Sequence, residues 1–347
     1  MIKRFSVAVA VTVITIFYAF NLYPQSNNGH RTFYSGGHLP GFHISSNYAE
    51  QVMEFSMEPE IKVTINAPSP QIFNPSKKVM LTFYGLPNFN NTAQTIGRKL
   101  RENDDWHFNI QHIGAQTRFL RLQRTEYNIV VAYLETGRQS WPWWRNSFQK
   151  PDSIIHFVAD SVMNVFKNYN TEVVLDGHSG GGSFILGYIN SVKVIPDKIK
   201  RIAFLDSNYD FENGLGHGYK LTNWLKRSDD HFLDIICYND QGVKEDGKVF
   251  MNKTSGTFYK TGIMKMTFEK RFKFKAEKDT AYEVYDKYDA LNGRLQIIFV
   301  ENPQKLILHT VLVERNGFIQ SINSGTPFEG KNYIFMGAHA YDEWITN

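Results

Sequence analysis

Hydrophobic and polar positions along the 347-residue chain follow two alternating rhythms. "IKVTINAP" places Ile61, Val63 and Ile65 at period two, which predicts a strand with one buried face. "KKVMLTFYGLP" is a continuous apolar run closed by Gly85 and Pro87, which predicts a strand covered on both faces. "YNIVVAYLE", "TEVVLDG", "KRIAFLDSN", "HFLDIICYND" and "RLQIIFVEN" add further strands. Between them, Ile154, Ile155, Val158, Val162, Val165 and Phe166 recur at helical spacing after a Pro-Asp-Ser start, and "GSFILGYINSV" and "GYKLTNWLKRS" read as helices too. The alternation predicts an α/β fold, a mostly parallel central sheet with helices on both faces. No internal repeat interrupts it.

The rhythm breaks in two places. Residues 24–40, rich in Asn, Gly, Ser and His, read as a linker, so the ordered domain is expected over 41–347. Residues from about 243 to 290, rich in Lys, Phe and Met, read as an insertion before the last strand. Two forms suit it: a cap over the C-terminal edge of the sheet, whose cations would attract an anionic substrate, or a solvated hairpin plus helix.

The chain begins with Lys3 and Arg4, followed by a mostly apolar run from Phe5 to Tyr23. This is the pattern of an export signal over residues 1–23. Its length also suits an uncleaved anchor tethering the protein to a membrane through residues 5–23, and no A-x-A cleavage site follows. Either way the body is expected outside the cytoplasm, periplasmic or secreted.

Composition narrows the classes. With 42% hydrophobic and 21% charged residues the chain is globular rather than disordered. A net charge of +4 without a long Lys/Arg run gives no case for a nucleic-acid partner. Cys237 is the sole cysteine, so no intramolecular disulfide forms, and its apolar surroundings predict an inert buried thiol. His112 and His217 lack ligand-like spacing; neither a metal nor another cofactor is expected.

The chemistry concentrates in "VVLDGHSGGGSFILGY", residues 173–188. Gly177-His178-Ser179-Gly180-Gly181 matches G-x-S-x-G between a buried strand and an apolar helix. A sharp strand-to-helix reversal forces the serine into a strained pose, and glycines two residues to either side remove side chains that would collide. The helix N-terminus behind the serine offers free N–H groups to a developing oxyanion. His178 is expected to sit beside this elbow. A plain glycine-rich turn is the bland alternative; a phosphate loop would need a following Lys-Ser/Thr pair, which is missing.

With "DGHSGGG" and "FYGLPN", the chain from about residue 60 onward resembles the α/β-hydrolase superfamily, in particular exported serine esterases and lipase-like enzymes. The second motif resembles the family's His-Gly-x-Pro loop, with Tyr84 in place of the histidine. The resemblance implies Leu86 and Gly180 N–H groups as oxyanion donors. It also implies the chain order Ser, acid, His for a triad. Asp240, after the second strand beyond Ser179, is the first choice for the acid, and Asp206, after the first, is the runner-up. His309, after the last strand, is the first choice for the base, and His339 is the runner-up.

"ETGRQSWPWWRNSF" follows a strand end, where loops shape substrate pockets. Trp141, Trp143, Trp144 and Arg145 are candidate substrate contacts, for a sugar or aromatic group and for an anionic group, with core packing as the equal alternative. Asn88, Asn90 and Asn91 suit a hydroxyl-rich ligand or cap the next helix. The expected activity is cleavage of a small-molecule or glycan-linked carboxylic ester through an acyl-enzyme on Ser179. A serine amidase or peptidase would use the same residues, and a catalytically silent binding protein would keep the fold alone.

Overall fold

Strand β4 (Lys78–Gly85) shows why the central sheet is two-sided. Val79, Leu81 and Phe83 enter one hydrophobic layer, and Met80 and Tyr84 enter the layer on the opposite face. The computed structural model describes residues 37–104, 106, 109–249, 251–280 and 284–347. The export segment expected over 1–23 and most of the linker lie outside the described residues.

The other strands are β1 (His43–Ile44), β2 (Gln51–Met57), β3 (Ile61–Ala67), β5 (Tyr127–Thr136), β6 (Thr171–Gly177), β7 (Ile199–Leu205), β8 (Phe232–Tyr238), β9 (Lys244–Glu245), β10 (Lys248–Val249), β11 (Lys275–Asp279), β12 (Tyr285–Ala290) and β13 (Leu295–Val300). All but β9 and β10 form one sheet, in the order β1-β2-β3-β5-β4-β6-β7-β8-β13-β12-β11. From β5 to β13 neighbours run parallel, and antiparallel strands flank both sides.

Helices α3 (Trp141–Ser147), α4 (Pro151–Val165), α5 (Gly182–Ser191), α6 (His217–Arg227) and α7 (Gly256–Glu269) bury their apolar residues in one layer, through Trp144, Val158, Phe184, Trp224 and Phe268. Helices α2 (Ile113–Gln123), α8 (Val311–Glu314) and α9 (Gly317–Asn323) fill the other, through Leu120, Leu312 and Phe318. Short α1 (Thr92–Ile96) opens with a capping box, in which Asn91 Oδ1 accepts from Gln94 N–H and Gln94 Oε1 accepts from Asn91 N–H, both at 2.9 Å. This is the α/β fold the sequence predicts, a mostly parallel central sheet with helices on both faces. Among the described residues no helix is long and apolar enough to cross a membrane.

Two boundaries differ from the sequence expectation. Gly37 and Leu39, placed in the linker, are fixed by the buried Gln51: its Nε2 donates to Gly37 O at 2.9 Å and its Oε1 accepts from Leu39 N–H at 2.6 Å. The stretch expected as an insertion joins the main body. Among its described residues the β9–β10 hairpin and the edge strand β11 are exposed. Met264 and Phe268 of α7 share the core layer of the parallel strands, and β12 pairs with β13 along its whole length. The strand "YDKYDA" is half-exposed and polar, so it lacks the apolar run that marks a central strand.

Candidate active site

Strand β6 ends at Gly177, and the chain turns through one 3₁₀ turn, Ser179–Gly181, into α5. Ser179 has φ +53°, a left-handed conformation that non-glycine residues rarely hold. Close packing sustains it. A Cβ on Gly181 would lie 2.0 Å from Gly85 O at the end of β4, and one on Gly182 would lie 1.7 Å from Ser207 O. Gly181 thus lets the elbow close onto β4. Gly182 lets α5 start against the loop after β7, a role its position in the sequence does not reveal.

The loop after β7 carries the acid that meets the histidine. Asp206, fully buried with φ +48°, places Oδ2 2.5 Å from His309 Nδ1. Its Oδ1 accepts from Thr257 Oγ1, and its N–H donates to Ile236 O at 2.7 Å. Thr257 stands in the first turn of α7, so the stretch expected as an insertion supplies the clamp on the acid. Sequence reasoning missed it; the Ser255-Gly256 helix start was its only local signal.

Asp240 does not take the place expected for the acid. Its Oδ2 accepts from Thr257 N–H at 3.2 Å, and its Oδ1 is buried without a partner. Burial, and then the charge of Asp206, push its pKa up to about 7. Beyond β8 the chain turns this carboxyl toward the start of α7, where a Cβ on Gly256 would lie 2.1 Å from it.

His309 lies beside the elbow, its ring centroid 4.4 Å from that of His178. With Nδ1 engaged by Asp206, its Nε2 makes no hydrogen bond among the described residues, to Ser179 Oγ or to any other group. His339 is placed differently. Its Nδ1 is 2.9 Å from Asp342, its Nε2 is 3.5 Å from Glu314, and its ring stacks on Tyr341. These contacts, the Glu314 hydrogen bond first, raise its pKa.

The expected oxyanion donors separate. Gly180 N–H, second in the turn, is left without an acceptor among the described residues. Leu86 N–H is already engaged: it donates to Leu134 O at 3.2 Å, because the parallel ladder of β4 and β5 runs one rung further than the motif suggests. Asn88 lies across Gly180 instead. Its Oδ1 is buried without a partner and sits 1.9 Å from where a Cβ on Gly180 would be.

The tryptophans divide as well. Trp141 and Trp144 are core residues, their indole N–H groups bonded to Leu134 O at 3.0 Å and Pro59 O at 2.7 Å. Ser140 capping Trp143 N–H and Pro142 in the first turn start α3 and aim these rings inward. Trp143 alone is solvent-exposed, beside Arg138. Trp144→Ala should therefore lower stability by about 3–5 kcal/mol and leave KM for any soluble substrate little changed, as denaturant melts and steady-state kinetics would show.

Arg145 reaches a cleft of about 330 Å³ shared with Ser183, Asn190, Tyr209, Asp210 and His217. Asp152, Ser183 and Asp210 hold its guanidinium at 2.8, 3.0 and 3.3 Å. Tyr209 forms the wall toward the histidine, its ring centroid 6.4 Å from that of His309. A larger cleft of about 600 Å³ is lined by Lys273, Lys287, Asp289, Gln296 and Glu329 among others; neither cleft is lined by Ser179, Asp206 or His309. No group of acidic, His or Cys side chains suited to a metal occurs among the described residues.

No family profile and no characterised protein sequence matches the chain. Solved structures do. A thermostable esterase is similar over 82% of this chain and 64% of its own, at 11% identity and a TM-score of 0.43. The siderophore hydrolase EstB from Aspergillus nidulans is similar over 79% and 94%, at 12% identity and a TM-score of 0.40. The poly(aspartic acid) hydrolase-1 from Sphingomonas sp. KT-1 is similar over 65% and 88%, at 11% identity and a TM-score of 0.35. The chain thus spans less than two thirds of the length of the thermostable esterase it resembles.

Proposed function

We propose that the protein is an exported serine hydrolase that cleaves a carboxylic ester, with Ser179 as nucleophile, His309 as base and Asp206 as the acid. The observation that carries this reading is the 2.5 Å contact of Asp206 with His309 Nδ1, beside a serine held at φ +53° on a strand-to-helix elbow. A carboxylate on Nδ1 fixes the tautomer that leaves Nε2 as the base and stabilises the imidazolium once formed.

In this reading Ser179 Oγ bonds to the ester carbonyl carbon while its proton passes to His309 Nε2. The carbonyl oxygen, now an anion, rests against Gly180 N–H. The carbon–oxygen bond to the leaving alcohol breaks, and His309 returns the proton to that alcohol. Water, deprotonated by His309, then attacks the acyl-enzyme and releases Ser179.

The cleft beside Tyr209 has a polar lining, and the arginine within it is already neutralised by two carboxylates. It suits a hydroxyl-bearing alcohol, a glycan-linked one included, better than an anionic or long aliphatic group. The apolar run Phe5–Tyr23 supports export.

Assaying the purified protein with p-nitrophenyl acetate, an acetylated sugar and p-nitroacetanilide tests the assignment. Both esters should be hydrolysed, with kcat/KM at least about 100-fold above the anilide. Turnover of the anilide at rates equal to the esters would move the assignment to an amidase.

A further inference from the structure

His178 stands between the elbow glycine and the serine, almost fully buried, and its two ring nitrogens have different partners. Nε2 lies 2.8 Å from the main-chain oxygen of His309. A carbonyl only accepts, so Nε2 carries the proton. Nδ1 is then an acceptor, and Gln111 Nε2 donates to it at 3.0 Å. That leaves Gln111 Oε1 to accept from Tyr84 O–H, at 2.9 Å. Tyr84 and Gln111 are buried too, so every link has one direction and no water competes. Burial, and next the neighbouring His309, hold the pKa of His178 well below that of an ordinary histidine, so no second cation arises beside the imidazolium.

This chain of bonds ends where the fold needs it. Residues 303–307 before His309 are exposed and irregular, so the main chain reaches His309 from a loop with little packing of its own. The bond from His178 ties that loop to the elbow at the residue that must meet both Asp206 and Ser179. Tyr84, where the hydrolase-like motif has histidine, gains a role as the far anchor on β4.

Resting on the reading of Ser179 and His309 above, we propose that His178 is a positioning residue, whose Nε2–H fixes the His309 main chain while Gln111 and Tyr84 fix its tautomer. Two variants separate this from simple packing. His178→Phe keeps ring volume without a donor, and His178→Gln keeps an N–H at that reach without the ring.

His178→Phe should lower kcat about 10- to 100-fold with KM within about twofold, and His178→Gln should recover most of the loss. Nitrogen-15 spectra of the wild type should show His178 as the Nε2–H tautomer. The downfield proton of His309 Nδ1 should persist in His178→Gln and vanish in His178→Phe. An Nδ1–H tautomer in the wild type, or His178→Phe as active as His178→Gln, would overturn the proposal. The wild-type tautomer needs neither turnover nor a variant, so it decides even where a variant misfolds. An inactive wild type with the expected spectra would sink the esterase reading and leave the bond chain standing.

Discussion

Asp206→Asn is expected to lower kcat by about a thousandfold or more, whereas Asp240→Asn leaves it within about threefold of wild type. An amide at position 206 cannot accept from both His309 Nδ1 and Thr257 Oγ1 as the carboxylate does, and it offers the imidazolium no charge. Asparagine at position 240 still accepts from Thr257 N–H and mimics the protonated acid. Steady-state kinetics of the two variants read the difference directly.

The same pair differs in stability. Asp240 has a folded pKa of about 7, above its ordinary 3.8, so the folded state holds a proton that the unfolded state releases between those values. Its contribution is fully present below about pH 4 and is lost as pH rises toward 7. Asp240→Asn escapes that loss. Its stability relative to wild type should rise across this window in denaturant titrations; a flat difference would contradict the assigned burial of the charge.

Ser179→Ala carries the second large effect. Removing the oxygen that forms the acyl bond should reduce kcat by about 10³-fold to 10⁶-fold. Folding should survive, because the pose of the elbow is set by the contacts of Gly181 and Gly182 with Gly85 and Ser207 rather than by the hydroxyl. Alanine at φ +53° keeps much the same backbone strain as serine, so the thermal midpoint should move by only a few degrees.

The elbow was legible in the sequence because its demands are local. A strand, a reversal and a helix within 16 residues leave few residue types that fit, and G-x-S-x-G reports them. The central strands were legible for a similar reason: burial on both faces writes a continuous apolar run. The acid was not. Asp206 and Asp240 both end strands beside the site, and what separates them is tertiary. Asp206 takes φ +48° and is clamped by Thr257, a residue 51 positions away in a helix whose apolar positions give no clear stripe. Leu86 failed as a donor because the β4–β5 register, invisible in the motif, engages its N–H. The tryptophans illustrate the reverse case. The cap at Ser140 and Pro142 in the first turn already spelled a helix start, and a helix there turns Trp141 and Trp144 into the core.

In the proposed reaction Ser179 is a nucleophile activated by His309 and Asp206. Labelling of the purified protein with a fluorophosphonate probe tests it most directly, since the probe reacts with an activated serine and needs no knowledge of the natural ester. Wild type should be labelled, Asp240→Asn should be labelled at a similar rate, and Ser179→Ala, His309→Ala and Asp206→Asn should show little or none. Absence of labelling in the wild type, or labelling that survives Ser179→Ala, would contradict the account.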